Sequence, residues 1–177
     1  MRINEAKIIS YLTSLGLIPE DIIFREGNRW ASVTYPGPFS IHIVYVDRKI
    51  KMGEASSKII CELIKKEFGY SNELMLFLFI LFHEIGHCYI KSAGNRIKNN
   101  PIRLRFLRLV YNFLKETNLE NKDEWIMLTE QSYRRLKEER YCDLYAIKKI
   151  KELFEKERRL KQNEYQKSNG LQKSETL

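Results

Sequence analysis

Apolar residues recur at helical spacing near the start of the chain. Ile8, Ile9, Leu12 and Leu15 share one face of Ile3–Leu15, and Gly16 follows, so a short amphipathic helix is predicted there. The pattern then changes period. Ile22–Phe24 reads as a short strand. Arg29–Tyr35 and Phe39–Asp47 are rich in β-branched and aromatic residues and flank Pro36-Gly37-Pro38, the signature of two strands joined by a tight turn. Arg48–Met52 is a further short strand candidate before Gly53.

From Ala55 the period is helical. Ile59, Ile60, Leu63 and Ile64 fall on one side of Ser56–Phe68, which Gly69 closes. Ser71 is the expected N-cap of a helix reaching about Lys91, whose Leu74–Phe82 portion is apolar on every side and so belongs inside the fold. Gly94–Pro101 is a polar break, and Pro101 suits the first turn of the next helix, with Leu104, Leu107, Val110 and Leu114 on one face. After a loop over Thr117–Asp123, helix is predicted to about Glu155, with a break inside it. The remainder is charged and rich in Gln, Ser and Asn, so a frayed helix and a disordered tail are expected over 156–177. The whole predicts an α+β fold: one domain over 1–155, with a small N-terminal antiparallel or mixed sheet packed on a mainly helical bundle.

Composition narrows the class. A 177-residue chain with 44% hydrophobic residues can bury one sizeable core. The net charge of +8 permits acidic partners without identifying nucleic acid. Cys61, Cys88 and Cys142 have no paired spacing, which suggests a reducing compartment. The N-terminus lacks the apolar stretch of a signal peptide, and the apolar run Leu74–Phe82 is too short to span a bilayer, so a cytoplasmic protein without a membrane partner is expected.

Candidate chemistry lies at His83-Glu84-Ile85-Gly86-His87, an H-E-x-x-H pattern inside the apolar run. Histidines four apart on a helix share a face, about 6 Å apart along the axis, so their imidazoles can converge on one ion, with zinc the usual occupant. Glu84 lies beside the first histidine, where a base for the attacking water is needed. The bland alternative is a pair of core histidines satisfied by Glu84 and backbone, which would bury three polar groups at considerable cost.

A catalytic zinc site normally has three protein ligands. The only other histidine, His42, lies upstream in a predicted strand, and the position ten after His83 is Ala93, which excludes a metzincin arrangement. The third ligand is therefore expected among the carboxylates Glu116, Glu120, Asp123, Glu124, Glu130, Glu138 and Glu139. Glu139 and Asp143 stand out because they are four apart and bounded by Leu136, Tyr141, Cys142, Leu144 and Ala146. One of the two can bind the ion while the other accepts a histidine ring N–H. A plain surface acid paired with Arg135 or Lys137 is the competing reading of Glu139.

H-E-x-x-H followed by E-x-x-x-D resembles the gluzincins. The small size and short N-terminal sheet are similar to minigluzincins and ImmA/IrrE-like metallopeptidases, which show H-E-[LIF]-G-H and then E-x-x-A-[DN]-x-[FY]-A. His83–His87 matches the first segment, and Glu139–Ala146 matches the second with Cys142 in place of alanine. The resemblance spans roughly 30–150. It implies His83, His87 and Glu139 as zinc ligands, Glu84 as general base and Asp143 as the partner of a liganding histidine. It also implies a sheet edge, Phe39–Val46 or its neighbour, that aligns an extended peptide. The chain departs from the compact members in the 51 residues between His87 and Glu139, where Pro101–Lys115 looks like an inserted helix.

The expected function is thus a zinc-dependent endopeptidase acting on a protein or peptide; by analogy with relatives, a repressor or antitoxin is one class of substrate. Lys91–Lys115 carries seven basic residues (Lys91, Arg96, Lys98, Arg103, Arg105, Arg108 and Lys115) and no acid. A solvated face explains this simply. The rival function is a basic nucleic-acid- or protein-binding regulatory module that keeps a structural or inactive zincin site.

Overall fold

The computed structural model describes residues 5–17, 22–26, 41–45, 54–92 and 99–174. Six helices hold most of them: α1 (Glu5–Ser14), α2 (Glu54–Phe68), α3 (Glu73–Ser92), α4 (Pro101–Glu116), α5 (Lys122–Arg134) and α6 (Lys137–Ser174). Two strands of five residues each, β1 (Ile22–Glu26) and β2 (Ile41–Tyr45), complete the described secondary structure.

The fold is therefore a helical one, and the expected α+β architecture is corrected. No antiparallel hairpin is found among the described residues. β1 and β2 instead pair in parallel, with Ile22 opposite Ile41 and Glu26 opposite Tyr45. Parallel neighbours cannot be joined by a tight turn and require a long connection between them. The described neighbour of the 41–45 strand is thus the more distant 22–26 segment. The strands expected at Arg29–Tyr35 and Arg48–Met52, and the turn Pro36–Pro38, lie outside the described residues.

α3 is the centre of the molecule. Met75 and Phe77–Phe82 are buried, with Leu76 half-buried and Leu74 at the exposed N-terminal end. α6 is the principal partner of α3, presenting Cys142, Ala146, Ile147, Ile150 and Leu153 as a buried stripe at helical spacing. α2 adds Ile60 and Ile64, and α1 with the residues after it adds Leu12 and Leu17 to the same core. β2 also runs beside α3.

Local chemistry sets the helix ends. Asn72, not Ser71, caps α3: its Oδ1 accepts the Met75 N–H at 2.9 Å. Asn100 caps α4 by accepting from Ile102 and Arg103, with Pro101 in the first turn as its fixed φ favours. Gly69 ends α2 at φ 82, in the left-handed region that favours glycine. The break expected inside the last helical stretch falls at Arg135–Leu136, between α5 and α6. Beyond Glu155, where fraying was expected, α6 continues to Ser174. That segment has no proline and is dominated by Glu, Lys, Arg, Gln and Leu, all good helix formers. No helix among the described residues is long and apolar enough to cross a membrane.

Candidate metal centre

His83 and His87 project from one face of α3, as four-residue spacing dictates. Their Nε2 atoms stand 3.2 Å apart. His83 is buried and stacks on Phe79 one turn earlier, with ring centroids 6.2 Å apart. His87 is half-buried at the edge of the cleft described below.

α6 brings up the acids. Glu139 and Asp143 are both buried, one turn apart on the face turned towards α3. Glu139 Oε2 lies 3.3 Å from His83 Nε2 and 3.7 Å from His87 Nε2. Asp143 Oδ1 accepts the His83 Nδ1–H at 2.8 Å, which fixes the ring and leaves Nε2 facing Glu139 and His87. The two carboxylates thus occupy distinct places: one at the meeting point of the Nε2 atoms, the other behind the first ring.

Gly86 permits this approach. A Cβ built at Gly86 would stand 3.1 Å from Cys142 Cα and 3.3 Å from Cys142 Sγ. Any side chain there would therefore push α3 and α6 apart at the level of the histidines.

Three further residues, of which only Glu138 was a candidate from the sequence, complete the surroundings. The Tyr133 hydroxyl donates to Glu139 Oε1 at 2.8 Å, so Glu139 presents its other oxygen to the histidines. Arg134 Nη1 donates to Asp143 Oδ1 at 3.0 Å, while its Nε stands 3.4 Å from Glu130 Oε1. Glu138 Oε1 is 3.4 Å from His87 Nδ1, placing a carboxylate behind the second ring as Asp143 does behind the first. Tyr133 and Arg134 lie at the end of α5, across the break from α6, so no single-helix periodicity relates them to Glu139 and Asp143. Glu138 was among the candidate carboxylates, but its neighbour Glu139 is the one at the meeting point. Asn99 also contributes from a distance, capping α6 by accepting the Glu138 N–H at 3.0 Å.

The electrostatics follow from this crowding. For Glu139, burial acts to raise the pKa, but hydrogen bonds to His83 and His87 dominate and hold the carboxyl well below its ordinary range. Burial would lower the His83 pKa, yet the hydrogen bonds to Asp143 and Glu139 and the nearby Glu84 charge lift it to about 9. Glu84 moves upward because burial penalises its charge, and the nearby histidines offset this only in part. Burial, reinforced by Glu139 and Glu84, pushes the Cys142 thiol far up.

His83, His87 and Cys142 make a group that could hold a metal ion, their potential ligand atoms lying within 4.8 Å of one another. The site opens into a cleft of about 770 Å³. His83, Glu84 and His87 line it together with residues of α4, α5 and the start of α6. The side chains of His42 and Cys88, two other residues that the sequence brings to attention, lie outside the described residues. No family model matches the chain, and neither a curated protein nor a solved structure matches it.

Proposed function

We propose that this protein is a zinc-dependent peptidase with His83, His87 and Glu139 as ligands and Glu84 as general base. The observation that carries the reading is the triangle of Nε2, Nε2 and Oε2 atoms, with sides of 3.2, 3.3 and 3.7 Å. Donor atoms held about 2.0–2.1 Å from one zinc ion at tetrahedral angles stand about 3.3–3.4 Å apart, which suits these three. With Asp143 holding the proton on His83 Nδ1, the triangle gathers lone pairs that repel unless a cation or shared proton sits among them.

Zinc bound there would acidify a water and polarise a carbonyl oxygen. The remaining chemistry belongs to the chain. Glu84 lines the cleft one residue from the first ligand, and its raised pKa brings it closer to the range in which a carboxylate can accept and return a proton near neutrality. It takes the proton of the attacking water and delivers it to the leaving amine. Tyr133 fixes the rotamer of Glu139, and Asp143, itself held by Arg134, fixes the ring of His83.

Cys142 supports a second reading, a structural site in which two histidines and a thiolate hold the ion. Such a site has no use for Glu84. The experiment is metal analysis of purified protein together with cleavage of a casein or mixed-peptide substrate. The peptidase reading expects about one zinc per chain. Glu84→Gln should keep the zinc and lower turnover by about 10²-fold or more. Protein purified without stoichiometric metal, and failing to take up zinc, would overturn it.

A further inference from the structure

The helix between the two halves of the site forms a wall of the cleft. Leu104, Leu107, Arg108, Tyr111, Asn112 and Lys115 of α4 line the same space as His83, Glu84 and His87. The helical wheel explains how one segment does this. Leu107 and Leu114 are buried, and α4 packs against α5. Arg108, Tyr111 and Lys115, spaced three and four apart, fall on an adjoining stripe.

Charge on the two walls is committed differently. On the α5 and α6 side, Glu130 pairs with Arg134, Glu138 stands by His87, and Glu139 by both histidines. Each of these acids already faces a positive or hydrogen-bonding neighbour. On the α4 side, Arg108 makes no ion pair among the described residues, and the Lys115 ammonium lies 4.7 Å over the Tyr111 ring. The cleft therefore offers an incoming chain a positive wall carrying a guanidinium that makes no ion pair among the described residues. A planar guanidinium takes a carboxylate through two parallel hydrogen bonds, which a neutral amide cannot reproduce.

We infer that Arg108 forms an acid-selective subsite: the substrates are peptides with a Glu or Asp side chain within reach of α4 when the reacting bond lies over His83 and His87. This rests on the peptidase reading and names its substrate class. It also gives the basic segment a role distinct from nucleic-acid binding.

The test uses full-length, zinc-loaded protein carrying Glu84→Gln, so that bound peptide is not consumed. Its probes are fluorescein-labelled peptide pools identical except for Glu, Gln or Lys at one fixed position. Anisotropy should show the Glu pool binding about fivefold to tenfold more tightly than the Gln pool, with the margin shrinking as salt is raised. Adding Arg108→Gln should reduce that margin to twofold or less, and Arg108→Glu should turn the preference towards the Lys pool. Because Arg108 is exposed, neither change is expected to disturb folding, which circular dichroism and zinc content verify. Equal binding of Glu and Gln pools, or a margin that survives Arg108→Gln, overturns the inference. Wild-type protein that prefers the Glu pool yet cuts none of the three supports the subsite while overturning the peptidase reading.

Discussion

The His83 ring and the Asp143 carboxylate meet at 2.8 Å, joining α3 to α6 across sixty positions of sequence. This contact ties the fold to the site. Asp143 also receives Arg134, so one oxygen restrains a histidine and holds the Nη1 end of a largely buried guanidinium. Replacing Asp143 by Ala should take this carboxylate from both groups, leaving only Glu139 beside His83 and Glu130 beside Arg134. Breaking a buried pair from one side costs about 3–5 kcal/mol, and urea unfolding should show a loss of that order. Asp143→Asn keeps the shape and should be milder in stability, while lowering zinc affinity about 10- to 100-fold in chelator competition. Unchanged zinc affinity in the Asn variant would deny Asp143 its orienting role.

Gly86 offers a test of the helix contact itself. Alanine in a helix interior normally gains about 1 kcal/mol over glycine. Here the added methyl meets Cys142 Cα at 3.1 Å, a backbone atom that moves only if α6 moves. Overpacking costs of about 1–3 kcal/mol are expected to outweigh the propensity gain. Gly86→Ala should therefore lower both stability and zinc affinity, because the shift displaces Glu139 and Asp143. Adding Cys142→Ala removes the sulfur at 3.3 Å but not the Cα, so it should restore stability only in part. A Gly86→Ala protein more stable than wild type would show that the two helices have slack at this level.

How much of this was legible in the sequence depends on whether a relation was local. His83, Glu84 and His87 are bound to one another by helix geometry alone, and Glu139 with Asp143 likewise, so period and apolar flanks were enough to find each group. Burial of Leu74–Phe82 was readable for the same reason, save for the exposed Leu74 and the half-buried Leu76. The pairing of 22–26 with 41–45 was not, because strand partners are chosen across the fold and nothing within a strand names its neighbour. Tyr133 and Arg134 act across the α5–α6 break, and Asn99 caps a helix thirty-nine positions later. Such contacts have no period to detect. Ser71 was the expected cap of α3, but Asn72, one position later and also a capping residue type, takes that role.

Metal-free protein should be sensitive to alkali. The His83 pKa lies at about 9 in the fold against an ordinary 6.5, so its stabilisation is complete below pH 6.5 and is lost as pH rises through about 9. Glu139 is shifted the other way, so its contribution is present above its ordinary 4.5 and is lost as pH falls below that. In chelator, the thermal midpoint should therefore be highest between these limits and decline from pH 6.5 towards 9. Zinc must displace the proton shared by the histidines, so the stabilisation it confers should grow over that same range. A chelator-treated protein whose midpoint is flat or rising from pH 6.5 to 9 would contradict the assigned proton.

Glu139 and Cys142 compete for the same role, and their protonation separates them. Both sit beside the histidine pair on α6. The Glu139 carboxyl is ionised with ease because the histidines stabilise its charge, whereas burial and the neighbouring carboxylates keep the Cys142 thiol protonated. A metal ligand must give up its proton, so Glu139 offers its oxygen at little cost while Cys142 would have to place a second anion beside the first. Cys142 also packs tightly on Gly86, which explains a small apolar side chain there without any ligand role. Glu139→Gln should consequently lower zinc affinity by at least about 10²-fold, near two units of log Kd or 2.7 kcal/mol. Cys142→Ser should change it by less than about tenfold. Equilibrium dialysis against a zinc buffer reads both, and cobalt substitution adds an independent signature, since a thiolate ligand gives an intense near-ultraviolet charge-transfer band. Retention of zinc by Glu139→Gln, with loss in Cys142→Ser and that band in the cobalt form, would assign the ion to a structural His–His–Cys site and end the peptidase proposal.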